Sequence, residues 1–572
     1  MRYLLQKYNV NANTLIGNGI ISYQIIPELQ AKINLGFTQT YNNETVEYPI
    51  SAWLPIFNFT TGSSNFSDNN IKTWITEPQL IWTKQIESNQ LEILMGTTFQ
   101  QDRRQGSTLQ ATGYSSDALL GNLAAATNII ADPYNPPYDI LYRYTAFFGR
   151  VHFDHKGKYI FNLTGRRDGS SRFGENKQFA NFGALGAAWI FSKESFFNNH
   201  SAFLSFGKLT ASYGITGNDQ IKDYQYLSIW QPSSYTYLGT SGLYPTNLAN
   251  QNYAWETNNK WETGIELGFL KDAILFSIRY YHNRSSNQLV GYSLPSITGF
   301  NSVQANLPAI VQNTGLEFEL NATAIKRKSF SWNISFNLTV PHNKLLAYPN
   351  IEGSSYASVY EVGKSLYTKK LFHYTEVDPQ TGLYQFEIVN SQQNSFSPVY
   401  PDDLQAIKQV ARTYYGGLTN TFNYKNWKLS VFVQFVEQTG YNYMDTDFGP
   451  PGFSGNQPTV VLNRWQKPGD KTNVQKFTQD YSSDAYTAFS NAQYYGDNSI
   501  SDASFIRLKN VSLSYQIPSG ISKKAHIQSI RLFVQGQNLI TFTNYLGLDP
   551  ENQSVESIPP LRMIVAGLQI SL

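Results

Sequence analysis

The connections between the strand-like segments of this sequence alternate between short and long along the chain. Segments in which apolar and polar side chains alternate with a period of two lie at residues 15–27, 29–42, 71–86, 89–104, 141–155 and 158–167. One set of connections is a few residues long, at 87–89, 156–157 and 326–328. The other set runs to tens of residues, at 43–70, 105–140, 218–253, 351–411 and 442–502. Short turns on one rim and long loops on the other predict an all-β, antiparallel transmembrane barrel of the outer-membrane type.

Each strand-like segment also carries two faces of opposite polarity, as a wall between lipid and water requires. We expect the charged face to line a wide, water-filled lumen, because unpaired ionised groups in a dry core would be costly. The residues predicted to face lipid include Ile265, Leu267, Leu316, Phe318, Leu513 and Tyr515. Those predicted to face the lumen include Glu262, Glu266, Glu317 and Glu319. The alternative is a soluble sandwich with core and solvent faces exchanged, but soluble strands usually have about 3–10 residues and many segments here are longer.

The composition fits this barrel and argues against several other classes of protein. Aromatic residues make up 15% of the 572 residues, as expected for belts of Tyr, Trp and Phe at two membrane interfaces. Lys and Arg number 43 against 41 Asp and Glu, which leaves no basic surplus for binding nucleic acid. The sequence has no cysteine, which excludes disulfides, zinc–cysteine sites and thiol nucleophiles. Because there is no linker and no shift in composition, residues 1–572 are predicted to form one domain.

The N-terminal residues conflict with export to an outer membrane. Residues 1–9 turn polar after two leucines, so they cannot supply the roughly 7–15 apolar residues of a signal peptide. We therefore expect an export signal to be encoded upstream.

Six stretches of the sequence resemble, in the same order, motifs of the SusC/RagA-type TonB-linked outer-membrane transporters. They are TGRRDGSSRFG at 164–174, FGALGAAWIFSKE at 182–194, SYGITGNDQI at 212–221, WETGIELGFL at 261–270, NQLVGYSLPSITGF with NTGLEFEL between 287 and 320, and SFIRLKNVSLSYQIP with LFVQGQNLITFTNYLGLDPE between 504 and 551. The resemblance covers nearly all of the chain after residue 141. It implies a barrel of about 22 strands with a plug domain inside, preceded by a TonB-contacting segment and a signal peptide.

Roughly 17 strands can be counted in this chain, and the last one ends on the short-turn side. If the family's total holds, about five strands are missing on the N-terminal side, together with the plug and the signal peptide. The chain is therefore expected to be the C-terminal barrel portion of a transporter, cut by a truncated gene model, a frameshift or a split gene. Alone, it is expected to assemble poorly, because an incomplete barrel leaves backbone groups unpaired in hydrocarbon.

Three groups of polar or charged residues suggest sites, and each group has a plainer alternative. His152 and His155 have a spacing that suits metal chelation on a helix, but a strand points them to opposite faces, which favours a structural role near a turn. A charged cluster could form an anion-binding rim, although mutual pairing where a strand leaves the membrane is preferred; it comprises Arg166, Arg167, Asp168, Arg172 and Glu175. Loop carboxylates could bind calcium, but no EF-hand spacing is present and solvated charge is the default; they are Asp402, Asp403, Asp445 and Asp447.

Aromatic residues of the long loops could stack on sugar rings, although packing within the loops or at the membrane interface is preferred for each of them. The candidates are Trp230, Tyr235, Tyr237, Tyr494 and Tyr495. The sequence contains no GxSxG nucleophile elbow, and its seven scattered histidines suggest no triad. No catalytic, cofactor-binding or metal site is therefore predicted, and no cofactor is expected.

The predicted function is transport, not catalysis: the C-terminal barrel portion of a SusC/RagA-like, TonB-dependent importer of oligosaccharides or peptides in the outer membrane. The resemblance implies a SusD-like surface lipoprotein, outer-membrane lipid and the substrate as partners. It implies contact with the TonB complex only through a plug and a TonB-contacting segment that are not in this chain. A surface glycan-binding or adhesion barrel and a non-functional truncated remnant are the alternatives.

Overall fold

The computed structural model describes residues 2–197, 203–389, 393–445, 448–453, 455–522, 524, 526–554 and 557–571. The first strands are β1 Lys7–Ile26, β2 Leu29–Tyr48, β3 Gly62–Ile86, β4 Asn89–Tyr114, β5 Asn128–Ala131, β6 Tyr138–His155, β7 Tyr159–Ser170, β8 Phe179–Trp189 and β9 Leu204–Asn218. Next come β10 Ile229–Tyr237, β11 Thr240–Asn247, β12 Glu256–Phe269, β13 Ile274–Ser286, β14 Gln288–Ser293, β15 Ser302–Leu307, β16 Ile310–Lys326, β17 Phe330–Ala347 and β18 Thr368–Leu371. The last are β19 Tyr374–Val377, β20 Tyr384–Phe386, β21 Ala406–Gln409, β22 Arg412–Tyr424, β23 Trp427–Tyr441, β24 Ile500–Asp502, β25 Phe505–Gln516, β26 Ser529–Thr543 and β27 Met563–Ser571.

Among the described residues, helical structure lies in the connections between strands and in one turn before β1. The α-helices are α1 Asp484–Tyr494 and α2 Ser519–Ser522. Single turns of 3-10 helix lie at Arg2–Leu5, Ile50–Ala52, Pro55–Phe57, Asp117–Leu119, Leu123–Ala125, Phe191–Lys193, Ser195–Phe197, Ser296–Thr298, Ile351–Gly353, Thr459–Asn463 and Asp497–Ser499. Within the described residues, no helix is both long enough and apolar enough to cross a membrane.

Seventeen long strands carry the fold of the described residues, in agreement with the count made from the sequence. They are β1–β4, β6–β9, β12, β13, β16, β17, β22, β23 and β25–β27. Together with the short β5 and β24, they belong to one antiparallel sheet of 19 strands. The predicted all-β, antiparallel class is therefore confirmed.

The chain divides into two compact units, and each is built from antiparallel neighbours. The first unit comprises residues 1–187, 212–259 and 287–307, and the second comprises 188–211, 260–286 and 308–572. In the first unit, β2 pairs with β1 and β3, and β4 pairs with β3 and β6. In the second, the ladder runs β13–β16–β17–β22–β23–β25–β26–β27. This order, in which each long strand pairs with the next, is that of an up-and-down sheet.

The tight turn between β6 and β7 shows why the short connections could be predicted. Lys156 and Gly157 both have positive φ, at 56° and 63°, as a type I′ hairpin turn requires. The Gly157 N–H donates to Oδ1 of Asp154 at 2.6 Å. Strand ends on this side lie within one or two residues of the predicted positions, at Ile26, Ile86 and His155.

On the side of the long connections, several predicted strand ends were wrong, because the strands continue well beyond them. The loop predicted at 43–70 is only the segment 49–61, because β2 and β3 stay paired as far as Tyr48 and Ser63. Polar side chains stabilise this extension, in which the Tyr41 hydroxyl and the Asn43 amide both donate to Asp68, at 2.7 and 2.8 Å. Apart from Val46, Tyr48 and Phe66 the extension is polar, so the two-residue alternation disappears although the backbone ladder continues.

The two faces predicted from the sequence are visible in the register of the second unit. Leu316 lies opposite Tyr280 and Phe318 opposite Ile278, whereas Glu317 lies opposite Arg279. Apolar side chains therefore meet apolar ones across the strands, and charged side chains meet charged ones. The assignment of these faces to lipid and lumen stays a prediction.

Strands β1 and β27 are exposed on both faces. In β1, the successive residues Leu15 and Ile16 are 63% and 65% exposed. In β27, Ile564 and Val565 are 73% and 50% exposed. Neither face of these two strands is therefore covered by other described residues.

Candidate ligand-binding site

Three long connections of the second unit fold into a small subdomain. We name it the loop subdomain and define it as the described residues of 348–411, 442–504 and 544–562. Two hairpins, β18–β21 and β19–β20, and helix α1 belong to it. Its core consists of Phe372, Val377, Leu383, Tyr384, Phe386, Met444, Ala485, Ala488, Phe489 and Ala492. The connections predicted as plain loops therefore bury an apolar core of their own.

Helix α1 starts and packs as its sequence dictates. Oγ of Ser483 accepts the N–H of Tyr486 at 3.2 Å, which caps the first turn. Ala485, Ala488 and Ala492 recur at helical spacing, so their methyl groups share the buried face. Small side chains on this face let the helix approach the aromatic core closely.

The buried carboxylate of Asp497 joins two of the connections. Its Oδ1 accepts the backbone N–H of Tyr374 at 2.9 Å, and its Oδ2 lies 3.0 Å from Nδ1 of His373 and 3.4 Å from Nζ of Lys408. The Asp497 side chain is only 7% exposed. A buried carboxylate with this set of partners fixes β19 against the turn that follows α1.

The guanidinium of Arg507 anchors the third connection. Arg507 lies at the loop end of β25 and is 1% exposed. It donates to Oε2 of Glu551 at 2.6 Å, to Asp549 and to Oγ1 of Thr541 at 2.9 Å. Lys509 adds a second contact to Glu551 at 2.8 Å. This cluster, named the Arg507 network, holds residues 549–551 against β25 and β26.

A cavity of about 1210 Å³ lies in the loop subdomain. Its aromatic lining residues are Tyr374, Tyr384, Tyr443 and Phe448. Its amide lining residues are Asn442, Asn456, Gln457, Asn473 and Asn498. None of the lining residues that the structure describes has a charged side chain. The volume is somewhat above the roughly 300–1,000 Å³ of common small-molecule pockets.

Ring contacts hold the aromatic lining in place. Tyr374 meets Tyr384 edge to face, with centroids 5.5 Å apart and planes at 84°. Phe448 makes a similar contact with the core residue Phe489 at 5.6 Å. The backbone N–H of Tyr443 donates to the carbonyl of Leu546 at 2.8 Å, so the third connection supports the same wall.

The tyrosines that line the cavity are neutral at ordinary pH. Burial raises the pKa of Tyr374 to about 12, and it also raises the pKa of Tyr384 and of Tyr443. The buried Tyr374 hydroxyl has no hydrogen-bond partner among the described residues. Such a group costs roughly 1–3 kcal/mol, and with less than 1 Å² of accessible surface this hydroxyl does not face the cavity. Aromatic faces beside neutral donors and acceptors suit an uncharged polar ligand.

Comparison with known proteins identifies the family of this chain. The family model described as TonB dependent receptor-like, beta-barrel matches residues 6–539. The chain belongs to this family. This chain is 26% identical to TonB-dependent receptor P3 of Formosa agariphila, over 94% of its length. It is 25% identical to TonB-dependent receptor SusC of Bacteroides thetaiotaomicron, over 99% of its length. These matches confirm the resemblance to SusC-like transporters inferred from the six motifs.

Solved structures agree on the fold. The structure of the RagAB peptide transporter superposes with a TM-score of 0.83 at 21% identity, over 99% of this chain and 62% of that chain. This chain spans 54% of the length of the Formosa relative and 56% of the length of SusC. It therefore spans about half the length of the curated relatives it matches.

The histidines lie beside the β6–β7 turn, and within the charged cluster one pair, Arg166 with Asp168, forms as mutual pairing predicted. His152 bonds Oδ1 of Asn162 at 2.8 Å, and the ring of His155 lies 6.0 Å from that of Tyr159 beside the turn. No group of three or more His, Asp or Glu side chains suited to a metal ion occurs in the part of the chain that the structure describes. Among the charges, Nε of Arg166 donates to Asp168 at 2.8 Å, as mutual pairing requires.

The partners of Arg172 lie outside the predicted cluster. Its Nε donates to Asp223 at 3.1 Å, and its guanidinium lies 4.2 Å from the ring of Tyr142. The carboxylate of Asp219 accepts the Tyr142 hydroxyl at 2.8 Å in the same network. These charges cross-link two connections of the first unit, and the pairing could not be predicted because the carboxylates lie some fifty residues further along the chain.

The default of solvated charge was wrong for Asp403. This side chain is 1% exposed and accepts the backbone N–H groups of Val389 and Val399 at 2.8 and 2.7 Å. It organises the chain around the loop subdomain instead of meeting solvent. Asp402 and Asp445 are exposed, and Asp447 lies outside the described residues.

The candidate sugar-stacking residues fall into two separate sets, and none of them is among the described residues that line the cavity. Trp230, Tyr235 and Tyr237 lie on the hairpin β10–β11 of the first unit, where the tyrosines are more than four-fifths exposed. Tyr494 and Tyr495 end helix α1, and Tyr495 packs against Phe372 at 5.7 Å. The cavity aromatics were missed because residues 374, 384 and 443 come together only through the tertiary fold.

Proposed function

We propose that this chain is the C-terminal barrel portion of a SusC/RagA-like, TonB-dependent importer of oligosaccharides or peptides in the outer membrane. The observation that carries the proposal is the family match across residues 6–539. The relatives are receptors and a transporter by name, which favours transport over catalysis. The RagAB structure is that of a peptide transporter by name, whereas the name of the SusC relative states no substrate, so both substrate classes stay in the proposal.

The proposal includes a longer protein around the chain. The relatives are nearly twice as long as the matched region, and β1 and β27 are the first and the last strand of the described residues. We propose that the rest of the protein supplies about five strands that pair with these edges, together with a plug and an export signal. Contact with the TonB complex belongs to that part, and a SusD-like lipoprotein is the proposed partner at the loops.

Uptake by intact cells tests this function. The complete gene is expressed in a strain that lacks it, with and without a functional TonB, and the uptake of labelled oligosaccharides and peptides is measured. Uptake that requires both the gene and TonB is the expected result. Binding at the cell surface without uptake would indicate an adhesion protein, and the loss of both would indicate a remnant; either result would overturn the proposal.

A further inference from the structure

We propose that the apolar, exposed face of the first unit carries a binding site for a phosphorylated membrane lipid. The site combines a group of cations with an adjoining apolar groove on strands β2, β3, β4, β6 and β7. We name the cations the outer basic patch and define it as Lys72, Arg103, Arg143 and Arg167. The inference goes beyond the proposed function, on which it rests only for the position of this face against the membrane.

The outer basic patch shares its face of the strands with exposed apolar side chains. Residues on one face of a strand are an even number of positions apart. Arg103 of β4 therefore lies on the same face as Met95 and Phe99, and Arg143 of β6 lies on the same face as Phe147. These three apolar side chains are exposed. Both cations lie on the long-loop side of them, where the apolar part of each strand ends.

Three cations of the patch are close neighbours in the sheet. Lys72 lies directly opposite Arg103, and Arg143, which lies opposite Gln101, is the diagonal neighbour of Arg103. Side chains in such positions are within about 5–8 Å of one another, and like charges there repel. Asp139 accepts a hydrogen bond from Nε of Arg103 at 3.0 Å. Among the described residues, Lys72 and Arg143 have no ion pair, and both are exposed.

The surroundings of the patch add no carboxylate that could neutralise these two charges. The next carboxylate along this face of β3 is Asp68, four residues from Lys72, and it already accepts two hydrogen bonds from β2. Arg167 lies opposite Phe147, and its guanidinium contacts the ring of Phe179 at 5.3 Å instead of an acid. The patch therefore has a surplus of positive charge that an anion from outside the chain would offset.

Two cavities adjoin on this face. The first has a volume of about 500 Å³, and Arg143, Phe99 and Thr145 are among its lining residues. The second, which we name the apolar groove, has a volume of about 540 Å³ and is lined in part by Thr97 and Phe147. Thr97 lies opposite Phe147, and the next pair on the same face is Phe99 with Thr145. The apolar groove therefore continues directly into the cavity that contains Arg143.

The apolar groove exists because a small side chain lies beside large ones. Ala31 of β2 lies opposite Leu80 of β3, which lies opposite Met95 of β4. All three residues line the groove. Lys32 is its one charged lining residue among those described, and as the neighbour of Ala31 it belongs to the other face of the strand. The groove thus offers hydrocarbon a surface without ionised groups on its own face.

A lipid with a phosphate headgroup matches the two cavities together. An ionised phosphate accepts charge-assisted hydrogen bonds, and the guanidinium of Arg143 is a planar donor suited to it. Trp74 lines the same cavity, and tryptophan is enriched at the level of lipid headgroups. A free phosphate ion would use the cations but leave the groove unoccupied, and an uncharged lipid would do the reverse. Charge and apolar surface in adjoining cavities therefore select a lipid with an anionic headgroup.

Native mass spectrometry of the complete protein in detergent tests the site with three probes. Dioleoyl phosphatidate carries both the chains and the phosphate, dioleoylglycerol carries the same chains without phosphate, and inorganic phosphate carries no chains. We expect the phosphatidate to bind about tenfold more tightly than dioleoylglycerol. Inorganic phosphate at the same concentration should not displace it.

Substitutions in the two cavities locate the bound lipid. Lys72→Gln and Arg143→Gln should each weaken phosphatidate binding by about fivefold, and the double variant by about twentyfold. Neither cation has an ion pair among the described residues, so the thermal midpoint without lipid should not fall. Ala31→Phe leaves every cation in place but fills the groove, and it should weaken binding by about fivefold. Lys156→Gln, the matched control, removes an exposed cation of the same unit at the β6–β7 turn and should leave the affinity unchanged.

Three outcomes would overturn the site: equal affinity for phosphatidate and dioleoylglycerol, unchanged affinity in the double variant, or an equal loss in Lys156→Gln. Displacement by inorganic phosphate together with unchanged affinity in Ala31→Phe would assign the cations to a soluble anion and would also refute a lipid site. The uptake assay distinguishes these failures from failure of the proposed function. TonB-dependent uptake by a protein whose lipid affinity ignores the double variant refutes the site alone. Lipid binding that requires Lys72 and Arg143 in a protein without uptake supports the site and refutes the importer.

Discussion

The most specific energetic prediction concerns the Arg507 network. Arg507 is 1% exposed and bonds two carboxylates, of which Asp549 is 9% and Glu551 29% exposed at the side chain. Removing one partner of a buried ion pair costs about 3–5 kcal/mol, because the other charge stays buried without compensation. Lys509 remains 2.8 Å from Glu551 in such a variant. The uncompensated charge is then Asp549 alone, which indicates the lower end of that range, about 3 kcal/mol.

Arg507→Gln should therefore increase local opening of residues 545–553 by about a hundredfold, since each 1.4 kcal/mol corresponds to about tenfold. The assay is amide hydrogen exchange on the complete protein, followed in peptides that cover this segment. Asp549 accepts the N–H groups of Glu551 and Asn552, so these two amides report directly on the network.

Lys509→Gln is the matched control. Its side chain is 30% exposed and bonds only Glu551 within the network, so the expected cost is at most about 1 kcal/mol. A second variant, Arg507→Met with Asp549→Asn, removes both buried charges and keeps an oxygen that can accept the N–H groups of Glu551 and Asn552, so it should recover most of the protection. The reasoning is refuted if Arg507→Gln changes exchange no more than Lys509→Gln does.

Three further predictions address the two faces of the strands, the contacts of Asp497 and the buried phenol of Tyr374. Leu267→Arg should lower the free energy of unfolding by about 2–4 kcal/mol. Glu266→Gln weakens contacts of 3.3–3.4 Å to Arg279 and Lys208 and should lower it by at most about 1 kcal/mol. Urea unfolding of the complete protein in lipid vesicles measures both values, and equal values would contradict the assigned faces. Asp497→Asn should destabilise the loop subdomain by about 1.5–3 kcal/mol, seen as faster proteolysis within residues 354–410, and an unchanged cleavage rate would count against the contacts. The pKa of Tyr374 is raised to about 12 from an ordinary 10.0. The neutral phenol therefore predicts constant stability of the loop subdomain below about pH 10 and a loss of stability between about pH 10 and 12. A difference in proteolysis rate between pH 7 and 9 that disappears in Tyr374→Phe would contradict a neutral Tyr374.

The parts of the fold that the sequence predicts are those set by local chemistry. The turn at Lys156–Gly157 requires positive φ at both residues, and the alternation of Leu316, Glu317 and Phe318 requires two faces of different polarity. Both features can therefore be recognised from a few consecutive residues. The extensions of β2 and β3 have no such signal, because polar residues occupy most positions on both of their faces. The strand order and class were therefore predictable, whereas the loop-side ends of the strands were not.

The candidate site was much less predictable, because distant residues build it. Asp403 looks like a surface charge until the backbone N–H groups of Val389 and Val399 are seen to surround it. Arg507 lies in an alternating strand, and its carboxylate partners come from a connection more than forty residues away. Burial of a charge depends on such partners, and single-sequence periodicity carries no information about them.

Cysteine labelling in intact cells tests the central claim, a barrel that spans the outer membrane with long loops outside and short turns inside. The chain has no native cysteine, so one introduced residue reports a single position. In the complete protein, Tyr235→Cys on the exposed β10–β11 hairpin should react with a membrane-impermeant maleimide in intact cells. Lys156→Cys, at the turn between β6 and β7, should react only after the outer membrane is permeabilised. Equal labelling of both positions in intact cells would contradict the spanning barrel.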